Sequence, residues 1–194
     1  VLRNMTTSSK NALTPYLKKL VVEPPTLEPK DLSEALELIF SDIPSDIQTA
    51  AFLSCLRLRG LDQEADYIAA AVTTVLHFAK TIPPELVDSK GYIDIVGTGG
   101  DGQNTFNVST SSAIVAAGMG LPVCKHGGKA STSSSGSGDL LKSLGVDLSH
   151  VNEVTTPEIV KKSKFCFLFA PSFHPGMMLV HKIHPTFRCT PPRL

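Results

Sequence analysis

Ten of the fourteen glycines fall between Gly97 and Gly138, and no aspartate or glutamate occurs from Gln103 to Gly138. Glycine supplies positive φ and removes the Cβ that holds a backbone at a distance, so this clustering calls for turns that come close to something rather than for an evenly packed core. The flanking residues frame those turns. Residues 92–96, Tyr-Ile-Asp-Ile-Val, form a short β-rich run; a small-residue helix is expected over about 108–117; residues 121–124 make a second strand-like run. This order reads as a βαβ unit on a parallel sheet. A second glycine and serine loop follows, then a helix through Leu140, Leu141 and Leu144 that stops at Gly145, and a buried-type strand at 165–169.

The first third of the chain has helical periodicity instead. Leu32, Ala35, Leu36 and Ile39 form one apolar stripe behind Pro29 and Asp31, on a helix ending near Ser41. Ser45 or Asp46 can cap a second helix whose Ile47, Ala50, Ala51, Ser54, Cys55 and Leu58 share a face, with Gly60 placed for a left-handed C-terminal residue. A third is expected from Asp62 through Ala65, Ile68, Ala69, Val72, Leu76 and Ala79 to the Pro83-Pro84 stop, and an earlier one around 13–20 completes a small bundle. Such stripes serve either a core or a dimer face, and the core is the expectation. The boundary is placed near 83–91, giving a helical domain over 1–86 and an α/β domain over 87–194 with a divergent tail from 178.

Composition removes several classes. Eighteen basic against 18 acidic residues leave no net charge for a nucleic-acid tail, and 42% apolar with 19% charged residues is a globular balance. The longest apolar stretch, 113–124, is interrupted by Gly118, Gly120 and Pro122, so no membrane span is expected. Cys55, Cys124, Cys166 and Cys189 show no CxxC spacing and are expected to be reduced thiols. Without the apolar core of a secretory signal near the start, a cytoplasmic location is expected. Val1 in place of Met suggests a processed or incomplete start, and five prolines without periodicity after Ala170 make the α/β part read as unfinished.

The acid-free stretch carries Lys125, His126, Lys129 and eleven serines or threonines, a field of donors suited to a phosphorylated ligand. Residues 97–102, Gly-Thr-Gly-Gly-Asp-Gly, follow the first β-run at the edge where parallel sheets bind ligands, and match GxGxxG. A dinucleotide site, however, wants an acid at the end of the second strand for the ribose hydroxyls. Cys124-Lys125-His126 stands there, which disfavours NAD and leaves an NADP-like site open. A Walker A loop fails because Gly128-Lys129 is followed by Ala130. Asn107-Val108-Ser109-Thr110 opens the next helix, where Asn107 can cap; an anion-holding turn and an ordinary polar cap are equally consistent with this tetrapeptide.

Gly97-Thr98-Gly99-Gly100-Asp101, Asn107-Val108-Ser109-Thr110, Lys125-His126-Gly127 and Gly138-Asp139-Leu140-Leu141, in this order behind a helical leader, resemble the anthranilate phosphoribosyltransferase family. The likeness spans roughly 13–177, and Lys125-His126-Gly127-Gly128-Lys129-Ala130-Ser131 is similar to the fungal form. The resemblance implies an α/β fold of the nucleoside phosphorylase/phosphoribosyltransferase type: a small helical domain and a parallel-sheet domain, here truncated, with the cleft between them. It implies a homodimer that transfers phosphoribosyl from phosphoribosyl pyrophosphate to the amine of anthranilate, releasing magnesium pyrophosphate in the second step of tryptophan synthesis. Carried over, Gly97, Gly100, Asp101, Thr105, Asn107, Val108, Ser109 and Thr110 would hold the phosphoribosyl pyrophosphate. Lys125, His126, Gly127, Gly128, Lys129, Ala130, Ser131, Thr132, Ser133 and Ser137 would complete the site, with the Ser109 hydroxyl on Mg2+ as the cofactor. No side chain is assigned as a catalytic base.

Three departures go with the resemblance. Gly128 stands where many members have an asparagine that contacts anthranilate; His184 stands by spacing at the arginine that binds the anthranilate carboxylate; and the family's Asp-Glu magnesium pair would lie past Leu194, as expected of a truncated or mis-spliced product. A pyrimidine nucleoside phosphorylase is the related alternative, to be told apart by phosphate-dependent nucleoside cleavage. A non-catalytic dimerisation module is the alternative from another class.

Overall fold

A computed structural model describes residues 11–87, 90–97, 106–128 and 136–178. The chain divides into two compact units, one running to Ala79 and taking in the segment that begins at His174, the other Lys80–Phe173.

The first unit is helical: α1 (Thr14–Val21), α2 (Pro29–Phe40), α3 (Asp46–Leu58) and α4 (Ala65–His77). Proline sits in the first turn of α1 and α2, where its missing N–H costs nothing. Ser45 accepts the Gln48 amide at the start of α3, and Gly60 ends it at φ 71°. Leu32, Ala35, Leu36 and Ile39 enter a core with Leu13, Leu20, Phe52, Leu56 and Tyr67, as their spacing predicts.

Two other stripes are corrected. On α3 the buried residues are Thr49, Ala50, Phe52 and Leu56, while Ile47 and Leu58 are 81% and 84% exposed. On α4, Tyr67 and Thr74 face inward with Ala71, Val75 and Phe78 beside them, and Ile68, Val72 and Leu76 are exposed. Both helices carry apolar residues on more than one face, and the aromatics decide the rotation: Tyr67 donates its hydroxyl to the Leu27 carbonyl, and Phe78 meets Phe40 edge to face at 5.4 Å. The helix expected from Asp62 also starts later. Leu61–Gln63 is a 3-10 turn, Glu64 is extended (ψ 137°), and the Asp62 carboxylate is held by Arg57 at 2.8 Å.

In the second unit, α5 (Val108–Gly118) leads to β1 (Val123–Gly127), then come α6 (Ser137–Ser143), α7 (Thr156–Ser163), β2 (Phe165–Phe169) and the short α8 (Ala170–Phe173). The strands are parallel, with Val123 opposite Phe165, Lys125 opposite Phe167 and Gly127 opposite Phe169. Alternation then sorts the side chains. Cys124, Cys166 and Leu168 pack with Val160 of α7 and Phe173, whereas Val123 and Phe165 pack with Ala113 and Ala117 of α5.

The expected strand at 92–96 is reduced to one parallel bridge, Ile93 to Val123. Ile93 N–H donates to Pro122 O and Cys124 N–H to Ile93 O, as in a ladder. Beyond them side chains intervene: His126 N–H donates to Asp94 Oδ1 at 3.1 Å, and the Ile95 carbonyl accepts Lys125 Nζ at 2.6 Å. Helix α7 was not foreseen, although Pro157 near its start and Lys161 and Lys162 in its last turn are helix signals.

Candidate functional site

The described site residues gather at the C-terminal end of β1. The α5 start is fixed by Asn107, whose Oδ1 accepts the Thr110 amide at 3.1 Å and the Ser109 hydroxyl at 3.4 Å. With the Val108 and Thr110 amides taken by Phe106 O and Asn107 Oδ1, the cap leaves the Ser109 N–H and the positive end of the helix dipole beside the strand end. Thr110 is buried and donates its hydroxyl to Ser137 Oγ at 2.9 Å, which ties the first turn of α5 to that of α6. Gly97 comes so close that a Cβ there would lie 3.0 Å from Ser109 Oγ. Gly128 accepts the Gly138 amide at 3.0 Å.

Lys125 stands under this arrangement and is 1% exposed. Its ammonium donates to Ile95 O at 2.6 Å and to Ser109 Oγ at 3.2 Å. Burial lowers its pKa, and the nearby Asp94 carboxylate offsets part of that. Asp94 is a site residue the sequence reading passed over: as an acid within a β-run it gave no sign that it would clamp the His126 amide. At the start of α6 the Asp139 carboxylate accepts the Gly136 N–H at 3.1 Å.

Gly97, Asn107, Val108, Ser109, Thr110, Lys125, His126, Gly127, Gly128 and Ser137 are thus placed around one strand end and two helix starts. Gly100, Asp101, Thr105, Lys129, Ala130, Ser131, Thr132 and Ser133 lie outside the described residues. The Val108 side chain is 63% exposed along an open apolar groove of about 510 Å³ shared with Ile95, Phe106, Val115 and Met119. Among the described residues no cluster of three histidine, cysteine or acidic side chains could hold a metal by itself. The buried thiols stand opposite each other within β1 and β2: burial pushes Cys124 up to about 12 and raises Cys166, and neither is in a disulfide.

A strand-end turn, a capped helix start and a buried lysine are shared by several phosphate-binding folds, so comparison with known proteins decides among them. The α/β-domain model of the glycosyl transferase family matches residues 89–189, and the helical-bundle-domain model of that family matches 14–79. The chain belongs to the glycosyl transferase family. Within the family it is similar to the anthranilate phosphoribosyltransferases of Saccharomyces cerevisiae (47% identical, 90% of this chain, 51% of the relative) and Schizosaccharomyces pombe (46%, 82% and 45%). The solved structure of the S. cerevisiae enzyme in complex with PRPP and Mg aligns at TM-score 0.80 and 47% identity, over 92% of this chain and 52% of that one. The same enzyme in complex with 4-fluoroanthranilate aligns at TM-score 0.74. The chain spans about half the length of the family members it matches.

Proposed function

We propose that the chain supplies the phosphoribosyl pyrophosphate half of an anthranilate phosphoribosyltransferase site, which transfers phosphoribosyl to the amine of anthranilate and releases pyrophosphate. The observation that carries this reading is the meeting of the Asn107-capped start of α5 with buried Lys125 and Ser137 at one strand end. A leaving pyrophosphate needs donors and positive charge where its own charge grows, and no dedicated nucleophile. The Ser109 N–H in the first turn of α5 and the Gly128 backbone at the strand exit supply donors, the Val108 and Thr110 amides being taken by Phe106 O and Asn107 Oδ1, and Lys125 supplies the charge. His126 is held through its backbone by Asp94, which orients the strand exit. The two S. cerevisiae complexes, one with PRPP and Mg and one with 4-fluoroanthranilate, support both substrates.

Magnesium fits these residues in one form only. Ser109 Oγ is a hard oxygen donor, but it already accepts from the Lys125 ammonium, and no acidic cluster stands beside it among the described residues. An ion carried on the pyrophosphate satisfies both facts, since Mg2+ is commonly held through substrate phosphates and few protein ligands. Ser109 would hold it, and the ion would neutralise charge on the leaving group.

The homodimer belongs to the same proposal. Ile68, Val72 and Leu76, exposed on successive turns of α4, make an apolar stripe that a second copy would cover. No helix among the described residues is long and apolar enough to cross a membrane. Calorimetry of the folded chain with phosphoribosyl pyrophosphate and magnesium tests the site, and loss of anthranilate fluorescence tests turnover. Saturable sugar-diphosphate binding is expected; a folded sample that binds none refutes the assignment. Light scattering that shows a monomer at micromolar concentration refutes the dimer.

A further inference from the structure

We propose that Phe167 is a positioning residue for the strand end and helix start that face the pyrophosphate, an inference that rests on the phosphoribosyl pyrophosphate reading above. Phe167 lies at the centre of β2, is 2% exposed, and stands opposite Lys125 in the parallel register. Odd-numbered side chains of the two strands share one face of the sheet, so its ring lies beside the lysine and next to Gly127. A Cβ built on Gly127 would meet Phe167 Cε2 and Cζ at 3.0 and 3.1 Å, and one on Gly138 would meet Cε1 at 3.6 Å. One rigid ring is therefore in close contact with two backbones from different elements, the last residue of β1 and the first turn of α6.

Those backbones are also joined by hydrogen bonds. The Gly138 N–H donates to Gly128 O, and Ser137 Oγ accepts from Thr110. A Cβ on Gly138 would stand 3.2 Å from that Gly128 oxygen, so the spacing has almost no slack. An aromatic ring holds a fixed shape where an aliphatic chain would collapse or rotate. Phe167 thus sets how far the Gly127-Gly128 strand exit stands from the start of α6, and with it how both are placed beside the ligand. Misplacement by a fraction of an ångström is enough to weaken several charge-assisted hydrogen bonds together.

The test is calorimetric titration of the full chain with phosphoribosyl pyrophosphate and magnesium, alongside thermal melting. Phe167→Leu is expected to bind about 10-fold or more weakly. Phe165→Leu removes packing from the same face two residues earlier; it should lower the melting temperature and leave affinity within about twofold. Gly127→Ala drives a methyl into the ring and should also weaken binding. The double variant Gly127→Ala/Phe167→Leu should bind more tightly than the two single losses combined would give, because leucine lacks the ring atoms that the methyl meets. Wild-type affinity in Phe167→Leu, an equal loss in Phe165→Leu, or strict additivity in the cycle overturns the positioning role. A folded wild type that binds no ligand overturns the phosphoribosyl pyrophosphate reading itself and this inference with it. Should Phe167→Leu fail to fold, Phe167→Met, closer in volume, takes its place under the same criteria.

Discussion

Replacing Lys125 by methionine separates what the buried lysine does for the fold from what it does for the ligand. The side chain is 1% exposed, and its ammonium has Ile95 O at 2.6 Å and Ser109 Oγ at 3.2 Å. Its pKa is lowered by burial, so the folded state binds this proton less readily than the unfolded chain. The resulting stability deficit is fully present below the folded pKa and shrinks as pH rises from there toward the ordinary 10.5. Methionine keeps most of the stem volume and removes that deficit. Against it, the Ile95 carbonyl loses its partner, at about 1–3 kcal/mol, while Ser109 keeps its bond to Asn107. The opposing effects leave stability within about 2 kcal/mol of wild type, a shift of at most several degrees in melting temperature. Binding has no such compensation. A unit charge about 5 Å from a phosphate oxygen at an effective dielectric constant near 20 contributes about 3 kcal/mol, or roughly two orders of magnitude in affinity. Calorimetry with phosphoribosyl pyrophosphate and magnesium at fixed salt measures the second effect, and thermal melting the first. Affinity within about threefold of wild type, in a variant that melts normally, would refute the assignment of Lys125 as the source of the site's field.

Arg59→Ala should lower the stability of the helical unit by about 2 kcal/mol without changing ligand affinity, because the guanidinium donates to the Leu20, Val21 and Val22 carbonyls at the end of α1; chemical denaturation and calorimetry together check this. Gly176→Ala places a Cβ 2.7 Å from Phe40 Cγ and 2.9 Å from Cδ1, and should cost about 1–3 kcal/mol by overpacking; a melting temperature unchanged from wild type would contradict it. The Asp31 carboxyl is raised by burial but more strongly lowered by the Lys19 ammonium and the Glu28 amide, leaving its pKa below the usual 3.8. Its stabilising contribution is therefore complete above that value and lost as pH falls through the folded pKa; Asp31→Asn should flatten the acid limb of a stability-against-pH curve. The Cys124 thiol, pushed up to about 12, should resist thiol reagents at pH 8 in the folded protein and react on unfolding.

What the sequence disclosed depended on whether a local signal had one structural meaning. Pro29, Ser45 and Gly60 punctuate helices in only one way, and the described helix bounds follow them. The run at 165–169 is apolar throughout, as a doubly covered parallel strand requires, and is β2. Stripes on α3 and α4 were ambiguous because Ile68, Val72 and Leu76 compete with Ala71, Val75 and Phe78 for the inward face, and hydropathy cannot weigh an aromatic anchor against a longer aliphatic stripe. At the site, Asn107 and Lys125 were visible by residue type and position. Phe167 and Asp94 were not: the first resembles any buried strand residue, and the second any acid at an alternating position. Their parts depend on contacts with Gly127, Gly138 and the His126 amide that only the register of β1 against its neighbours brings about.

The shortened strand at 92–96 and the buried lysine have one cause. In a parallel ladder continued from Ile93, the Ile95 carbonyl would accept the His126 amide. Asp94 takes that amide instead, which frees the Ile95 carbonyl for Lys125 Nζ. A ladder bond is thereby exchanged for two bonds to charged groups, one from each side chain. The exchange provides an acceptor for an ammonium that would otherwise be buried with Ser109 alone. It also stops the pairing just before Gly97, where a Cβ would stand only 3.0 Å from Ser109 Oγ. Asp94→Asn tests the link. The amide oxygen still accepts from His126, so the backbone path should persist, but Lys125 loses its nearest carboxylate. Its pKa should then fall further, and the alkaline loss of phosphoribosyl pyrophosphate affinity should begin at lower pH than in wild type. An unchanged alkaline limb would mean that the lysine is held by Ile95 and Ser109 without help from the acid.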